Sequence, residues 1–574
     1  MIFLNRPDVK LVCSLLVAVA LCPLEANAAF GRPLHAERGM VVSPDIRASE
    51  AGQKMLQQGG NAVDAAVATT FAVSVAEPYS AGIGGGGFLL LHLEKSGELL
   101  TLDFRERAPM GADRDMYLDD DGKVDPQKSM NGYLSVAVPG TVAGLYEVHR
   151  KYGKLSWKKV MEPAIELAEK GIIVDELWVR AVNWRKDVLT RFPAARAIFT
   201  NQGEPHRPGS RVRQKDLGKT LRRIAKDPND FYEGRIATAI VKDMQKNGGL
   251  ITKEDLKSYR PTWRKPVCGS FRSHRVCSMP PPSSGGVHLV QILNLLEPYD
   301  LEKWGFNHPD TLHAMIESMR VAYADRATHL GDPDFVPVPV APLTSKKYAD
   351  FRRRDIRLEK ARSSADVVAG TKMDFAQLHE SKDTSHLTVV DAEHNAVSLT
   401  FTVNYGFGSG VVVPGTGILL NDEMDDFSAA PGVPNAYGLV GGEANSIAPK
   451  KIPLSSMTPT IVTQEGKLRL AGGSPGGSTI ITTSLQLVLN VLVHGMDAGA
   501  AVSAPRIHHQ WQPDQTRYER WGMDPLTLRT LESRGHHLKE SGNGWGNANL
   551  IVVTEEGNLA GAADPRGSGG AAGL

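Results

Sequence analysis

Asp383-Thr384-Ser385-His386-Leu387-Thr388-Val389-Val390 leads through Asp391-Ala392-Glu393-His394-Asn395 into Ala396-Val397-Ser398-Leu399-Thr400-Phe401-Thr402-Val403-Asn404. The last segment alternates strictly. Val397, Leu399, Phe401 and Val403 point one way, and Ser398, Thr400, Thr402 and Asn404 the other. Residues 385–390 are rich in β-favouring side chains, and residues 391–395 are polar and turn-like, so the pattern predicts an antiparallel hairpin. If a five-residue loop closes it, Val390 faces Ala396 and Thr384 falls opposite Thr402. Directly opposed residues have Cβ atoms about 4.5–5.5 Å apart. The second threonine is then within hydrogen-bond reach of the first, with Asn404 two residues on along the same face. A slip of one residue destroys the arrangement. The same periodicity also describes a half-buried strand whose Ser/Thr face is solvated.

A threonine hydroxyl is a poor nucleophile near neutral pH unless a base lies beside it. The α-amine of the same residue can be that base. A free α-amine titrates at about 7.7–8.0, so much of it is neutral at working pH. Thr384 is internal, so this chemistry requires a cut between Asp383 and Thr384.

Further segments accompany this one. They are Gly59-Gly60-Asn61-Ala62-Val63-Asp64-Ala65-Ala66, Gly82-Ile83-Gly84-Gly85-Gly86-Gly87, Asp103-Phe104-Arg105-Glu106-Arg107-Ala108-Pro109, Gly417-Ile418-Leu419-Leu420-Asn421-Asp422-Glu423-Met424-Asp425-Asp426-Phe427, Pro453-Leu454-Ser455-Ser456-Met457-Thr458-Pro459-Thr460 and Gly473-Ser474-Pro475-Gly476-Gly477-Ser478. Each is weak alone. In this order, with Thr384-Ser385-His386, they resemble the γ-glutamyltransferases (γ-glutamyltranspeptidases, glutathione hydrolases) of the N-terminal-nucleophile hydrolase superfamily.

The resemblance implies a self-cleaving precursor with a large subunit (residues 29–383) and a small catalytic one (384–574). It implies an α+β, four-layer αββα sandwich with both subunits interlocked, and needs no cofactor. Thr384 is the implied nucleophile, Thr402 its orienting partner, and Gly476 and Gly477 the oxyanion hole. The implied pocket holds the α-amine of a γ-glutamyl group with Asn404, Glu423 and Asp426. Arg105 clamps its α-carboxylate, with hydroxyls from Ser455 and Ser456. Residues 431–442 resemble a lid gated by Tyr437. Implied substrates are glutathione and other γ-glutamyl compounds, with water, amino acids or dipeptides as acceptors. A glutaryl-cephalosporin (β-lactam) acylase is the rival within the superfamily. A non-catalytic exported protein that binds γ-glutamyl compounds is the rival outside it.

Read without the resemblance, the same residues admit plainer roles. Glu423 and Asp426 make an acidic turn, Arg105 or Arg107 a surface ion pair, Ser455-Ser456 a loop cap, and Gly476-Gly477 a sharp strand-to-helix turn. His386, His508 and His509 lack a ligand pattern around them and read as structural. The glycine run at 82–87 lacks the Lys-Ser/Thr of a phosphate loop and reads as tight packing beside a strand.

Residues 1–28 read as a secretory signal. Arg6 and Lys10 precede an apolar run at 11–21, and Ala26-Asn27-Ala28 suits cleavage after Ala28. The run is shorter than the ~20 residues of a spanning helix, so a periplasmic or secreted protein without a membrane span is expected. The chain has 65 basic and 64 acidic residues, a net charge of +1, which argues against a nucleic-acid partner. Two of the four cysteines lie in the signal. Cys268 and Cys277 flank a short hairpin and either form a disulfide or stand as free thiols on adjacent strands. No second pair of ligands at zinc spacing accompanies them. Helices are expected at 48–58, 61–75, 352–362 and 479–494. Strands are expected at 88–93, 99–104, 418–421, 460–462, 468–471 and 550–554, and a loose approach to the cut at 363–372.

Overall fold

The structure, a computed structural model, describes residues 31–369 and 384–574 apart from 431, 434–438, 440 and 543. The expected signal, Asp383 and Tyr437 lie outside the described residues. Fourteen strands build two sheets: β1 (Leu34–Ala36), β2 (Met40–Ser43), β3 (Gly86–Leu93), β4 (Glu98–Asp103), β5 (Thr262–Arg264), β6 (Val267–Phe271), β7 (His274–Ser278), β8 (Ser385–Val390), β9 (Ala396–Thr402), β10 (Thr460–Gln464), β11 (Lys467–Gly473), β12 (Asn549–Val553), β13 (Leu559–Ala563) and β14 (Gly570–Gly573). The first sheet runs β14-β2-β8-β9-β3-β4-β5, and the second β1-β13-β12-β11-β10-β7-β6. Each sheet draws strands from both sides of Thr384.

The hairpin forms in the expected register, with Val390 opposite Ala396 and Ser385 opposite Phe401. Asp391 builds its turn. Its carboxylate accepts the N–H of Glu393 at 3.1 Å and of Asn395 at 2.9 Å, and on the other side that of Ala62 at 3.0 Å. The turn therefore also anchors the helix Ala62–Ala76. That helix opens on a capping box between Asn61 and Asp64 and is buried at all fifteen positions. A mostly apolar helix whose few hydroxyls bond back to its own carbonyls has no face for water and must be covered on every side. It packs with Ile46–Gln57 on the outer face of the first sheet, while Gly285–Leu296 and Thr479–Leu492 cover the second.

Strand periodicity explains the layers. In β3, Leu89 and Leu91 join the core under the first helix layer, while Phe88 and Leu90 face the other sheet. In β12, Leu550 and Val552 face helices, and Ile551 and Val553 face inward. The result is a four-layer αββα sandwich, the architecture that the resemblance implied.

The Ser/Thr face of the hairpin is not solvated. It lies between the sheets, where polar groups need partners. Ser398 Oγ donates to Gly472 O at 3.1 Å, and Thr388 Oγ1 to Asn549 O at 3.1 Å. His386 bridges Thr400 and Thr388 at 2.8 and 3.0 Å.

Several expectations need correction. The 418–421 strand shortens to Ile418–Leu419, paired with Val412–Val413, because the polar Asn421-Asp422 turns the chain into the acidic segment. The 352–362 helix is instead Lys346–Arg353. Residues 363–369, expected to be loose, are held by the Trp511 indole N–H, which reaches Ser364 O and Val367 O at 2.8 Å. Cys268 and Cys277 oppose one another in the β6–β7 hairpin and are disulfide-bonded. Among the described residues no helix is long and apolar enough to cross a membrane.

Candidate active site

Thr384 immediately precedes β8 and is buried, and the ladder register continued by one step sets it against Thr402 at the end of β9. The glycine run lies beneath them. A Cβ on Gly85 would stand 1.8 Å from Thr402 O, and one on Gly84 2.0 Å from Leu419 O. Only glycine lets these backbones approach so closely. After Thr402 the chain turns through Asn404, whose φ of 75° is left-handed, a conformation asparagine tolerates better than most residues. Its N–H donates to Thr402 Oγ1 at 2.8 Å and its Nδ2 to Asp422 O at 3.1 Å. Thr402, which lies across the ladder from Thr384, is thus tied to the acidic turn.

That turn, Glu423–Asp426, is a single 3-10 turn pinned by Asn421. Asn421 Oδ1 accepts the N–H of Glu423 and of Ala137 at 3.0 Å, and its Nδ2 donates to Gly84 O at 2.8 Å. Arg105, fully buried, forks onto both acids, with Nη1 on Glu423 and Nη2 on Asp426. Its Nε donates to Pro453 O at 3.3 Å. Burial opposes the Arg105 charge, but Glu423 and Asp426 outweigh burial and hold its pKa above the usual value. Burial pushes Glu423 up to about 7 against the pull of Arg105. Burial also drives Glu106 well above the carboxylate range, followed by the Glu423 charge. Neither Glu106 oxygen nor Glu423 Oε2 meets an N–H or O–H donor among the described residues. Arg107 turns away, donating to Arg260 O at 2.9 Å and stacking over Tyr259.

Opposite the acids, Ser455 Oγ accepts the Met457 N–H at 3.0 Å, and Ser456 Oγ accepts Arg326 Nη2 at 3.2 Å. Gly476 and Gly477 bend the chain from β11 into the helix Thr479–Leu492, with φ of 134° and 55°. Gly476 O accepts from Thr479 N at 3.0 Å, leaving the amides at the helix entrance, where anions bind. Tyr323 OH donates to Ser478 O and fixes the bend from below. The histidines are structural. Burial lowers His386 to about 3 and His508 to about 4, and His508 bonds Thr482 and Gln510. No cluster of three metal-ligating side chains occurs among the described residues.

One cleft is lined by Thr384, Thr402, Asn404, Arg105, Glu423, Asp426, Ser455, Ser456 and Gly477. The γ-glutamyltranspeptidase family model matches residues 48–574. The chain belongs to the γ-glutamyltranspeptidase family. It is 48% identical over 538 residues to the glutathione hydrolase proenzyme of Escherichia coli (strain K12), across 93% of this chain and 91% of that one. It is 46% identical to the glutathione hydrolase proenzyme of Pseudomonas sp. (strain A14), across 91% and 90%. The crystal structure of a cephalosporin acylase from Bacillus halodurans superposes with a TM-score of 0.84 at 30% identity, covering 96% of this chain and 99% of that one.

In this member of the γ-glutamyltranspeptidase family, the cleft gathers residues that the sequence scatters over more than 370 positions. Gly476 adjoins the cleft without lining it. Leu439, from the segment read as a lid, does line it. Arg326, Leu454, Met457 and Ile480 also line it and were not anticipated. Arg326 gave no local signal, because it sits in the 21-residue helix Pro309–His329, which is buried along most of its length and carries polar residues throughout. Glu106 was legible only as a neighbour of Arg105.

Proposed function

We propose that the protein is a self-processing γ-glutamyltransferase and glutathione hydrolase, exported to the periplasm or secreted. In the precursor, Thr384 Oγ1 attacks the Asp383 carbonyl. The acyl group passes from nitrogen to oxygen, and water hydrolyses the resulting ester. The large fragment then ends in a carboxylate at Asp383, and Thr384 gains a free α-amine. In the mature enzyme that amine accepts the Thr384 hydroxyl proton as Oγ1 attacks the γ-glutamyl amide carbonyl. The oxyanion develops beside the Gly476-Gly477 amides. The proton goes to the leaving amine, such as cysteinylglycine, and a γ-glutamyl ester remains. Water hydrolyses the ester, or the amine of an amino acid or dipeptide takes the acyl group.

The observation that carries this reading is the meeting of a hydroxyl pair, two acidic side chains, two serine hydroxyls and two guanidinium groups in one cleft. A γ-glutamyl group is a zwitterion at one end and an amide at the other, and this set matches both ends. The resemblance in fold to a cephalosporin acylase supports a second reading, a glutaryl acylase with the same processing chemistry. Glutaryl donors have no α-amine, and they would leave Glu423 and Asp426 facing a methylene.

Two measurements test the proposal. The purified protein should give two bands on a denaturing gel, with Thr384 as the first residue of the smaller. It should hydrolyse γ-glutamyl p-nitroanilide far faster than the glutaryl anilide. Thr384→Ala should give one band and no activity. An uncut protein that still turns over γ-glutamyl donors sinks the mechanism, and a preference for glutaryl moves the assignment to the acylases.

A further inference from the structure

Arg326 is a buried cation with an uncommon set of partners. Its Nε donates to Ser284 Oγ at 3.1 Å and its Nη2 to Ser456 Oγ at 3.2 Å. It has no carboxylate ion-pair partner among the described residues, although it is only 4% exposed. Asp426, the carboxylate whose charge it feels, lies beyond ion-pair distance, and removing a charge from water without a close counter-ion costs several kcal/mol. Burial accordingly lowers its pKa to about 10. Its place in the last turn of Pro309–His329, where the helix dipole favours a cation, offsets a fraction of that cost.

The hydroxyls around it show what the charge is set to receive. A guanidinium can only donate. Ser284 Oγ accepts from Arg326 and passes its own proton to Ser455 O at 2.8 Å. Ser456 Oγ accepts from Arg326 and donates to no acceptor among the described residues. Ser455 Oγ accepts from Met457 N–H and likewise donates to none. Two hydroxyl protons are therefore uncommitted at the rim of a cleft that holds a buried positive charge. The opposite wall differs. Arg105 is already bound to Glu423 and Asp426. Glu423 and Asp426 set two carboxyl groups against the one Arg105 guanidinium there, and Arg326 adds a second guanidinium to the same cleft, a set that suits a zwitterionic guest.

Resting on the function proposed above, we propose that Arg326 is the positioning residue for the donor's α-carboxylate. It supplies the positive charge and turns the Ser456 hydroxyl proton toward the carboxylate, supplementing an Arg105 that is largely engaged by the acidic pair. The site selects a carboxylate on the carbon bearing the amine, and Arg326 sets that selectivity.

The test uses the full-length processed enzyme with two donors. One is γ-glutamyl p-nitroanilide. The other is 4-aminobutanoyl p-nitroanilide, which keeps the amine and the scissile amide but has no α-carboxylate. Arg326→Gln should raise KM for the γ-glutamyl donor about 10- to 100-fold, the loss of a charged hydrogen-bond partner. It should leave kcat, and kcat/KM for the 4-aminobutanoyl donor, within about twofold. If wild type does not turn over the second donor, its Ki as an inhibitor replaces kcat/KM. Arg326→Lys should recover part of the loss. Ser456→Ala, which leaves the buried charge in place, should shift the ratio between donors in the same direction, and it decides the matter if Arg326→Gln does not fold or self-cleave. Equal losses on both donors, or an unchanged ratio in both variants, overturn the inference. A wild type inactive on both donors overturns the proposed function, and this inference with it.

Discussion

Thr402 Oγ1 accepts the Asn404 N–H at 2.8 Å while the ladder sets it across from Thr384. Thr402→Val keeps the shape, orphans that N–H and, on the proposed mechanism, removes the oxygen that orients Thr384. It should lower kcat/KM about 10- to 100-fold, whereas Thr402→Ser should stay within about threefold. This pairing was legible because a five-residue turn and a two-residue period leave one register. Arg326 was not, since its role depends on where a long helix lands. A second single-residue prediction concerns Glu77. Burial, and then the Asp45 charge, raise its carboxyl to about 8, against hydrogen bonds from Tyr79 at 3.2 Å and Ser385 at 3.3 Å. An unfolded glutamate titrates near about 4.3. Between those values the native state holds the extra proton, so the stabilisation is complete below about pH 4 and is lost as pH rises through about 8. Melting temperature should therefore fall from pH 5 to pH 9, and it should fall less in Glu77→Gln. Parallel curves for the two proteins would contradict the shift.

The glycine run and the hairpin form one unit, because the carbonyl that a Gly85 side chain would strike is that of Thr402. Gly85→Ala should cost about 1–3 kcal/mol in denaturant melts and should lower kcat by displacing Thr402. Gly111→Ala, whose added methyl would meet only Leu250 Cδ2 at 3.8 Å, should stay within about 0.5 kcal/mol. The helix Ala62–Ala76 was legible, since it is alanine-rich and carries its own cap. Short strands were harder. Met40–Ser43 is four residues long, and Gly570–Gly573 has no β-branched side chain at all. The four layers were hidden because the hairpin's Ser/Thr face resembles a wet surface. It is dry only because a second sheet, built from distant segments, supplies Gly472 O and Asn549 O as acceptors.

At the scale of the molecule, β2, β3, β4 and β5 precede Thr384 in the first sheet, while β8, β9 and β14 follow it. A cut before Thr384 would sever no strand pairing, since β8 begins after it. Native mass spectrometry of processed enzyme should therefore show both fragments in one species, and separation should need denaturant. Fragments that part in plain buffer would contradict the interleaving. Thr384 leads into the first sheet, and the Gly476-Gly477 bend leaves the second. Between them the His386 ring rests so close to Gly473 that an added Cβ would lie 2.6 Å from it. With the Ser398 and Thr388 bonds, that ring works like a dowel between two machined plates. These contacts tie the two sheets together, and on the proposed mechanism they hold the Thr384 oxygen in line with the Gly476-Gly477 amides. Evolution could recut the rim for a new cargo, as between a peptide thiol and an antibiotic, without re-aiming the trigger.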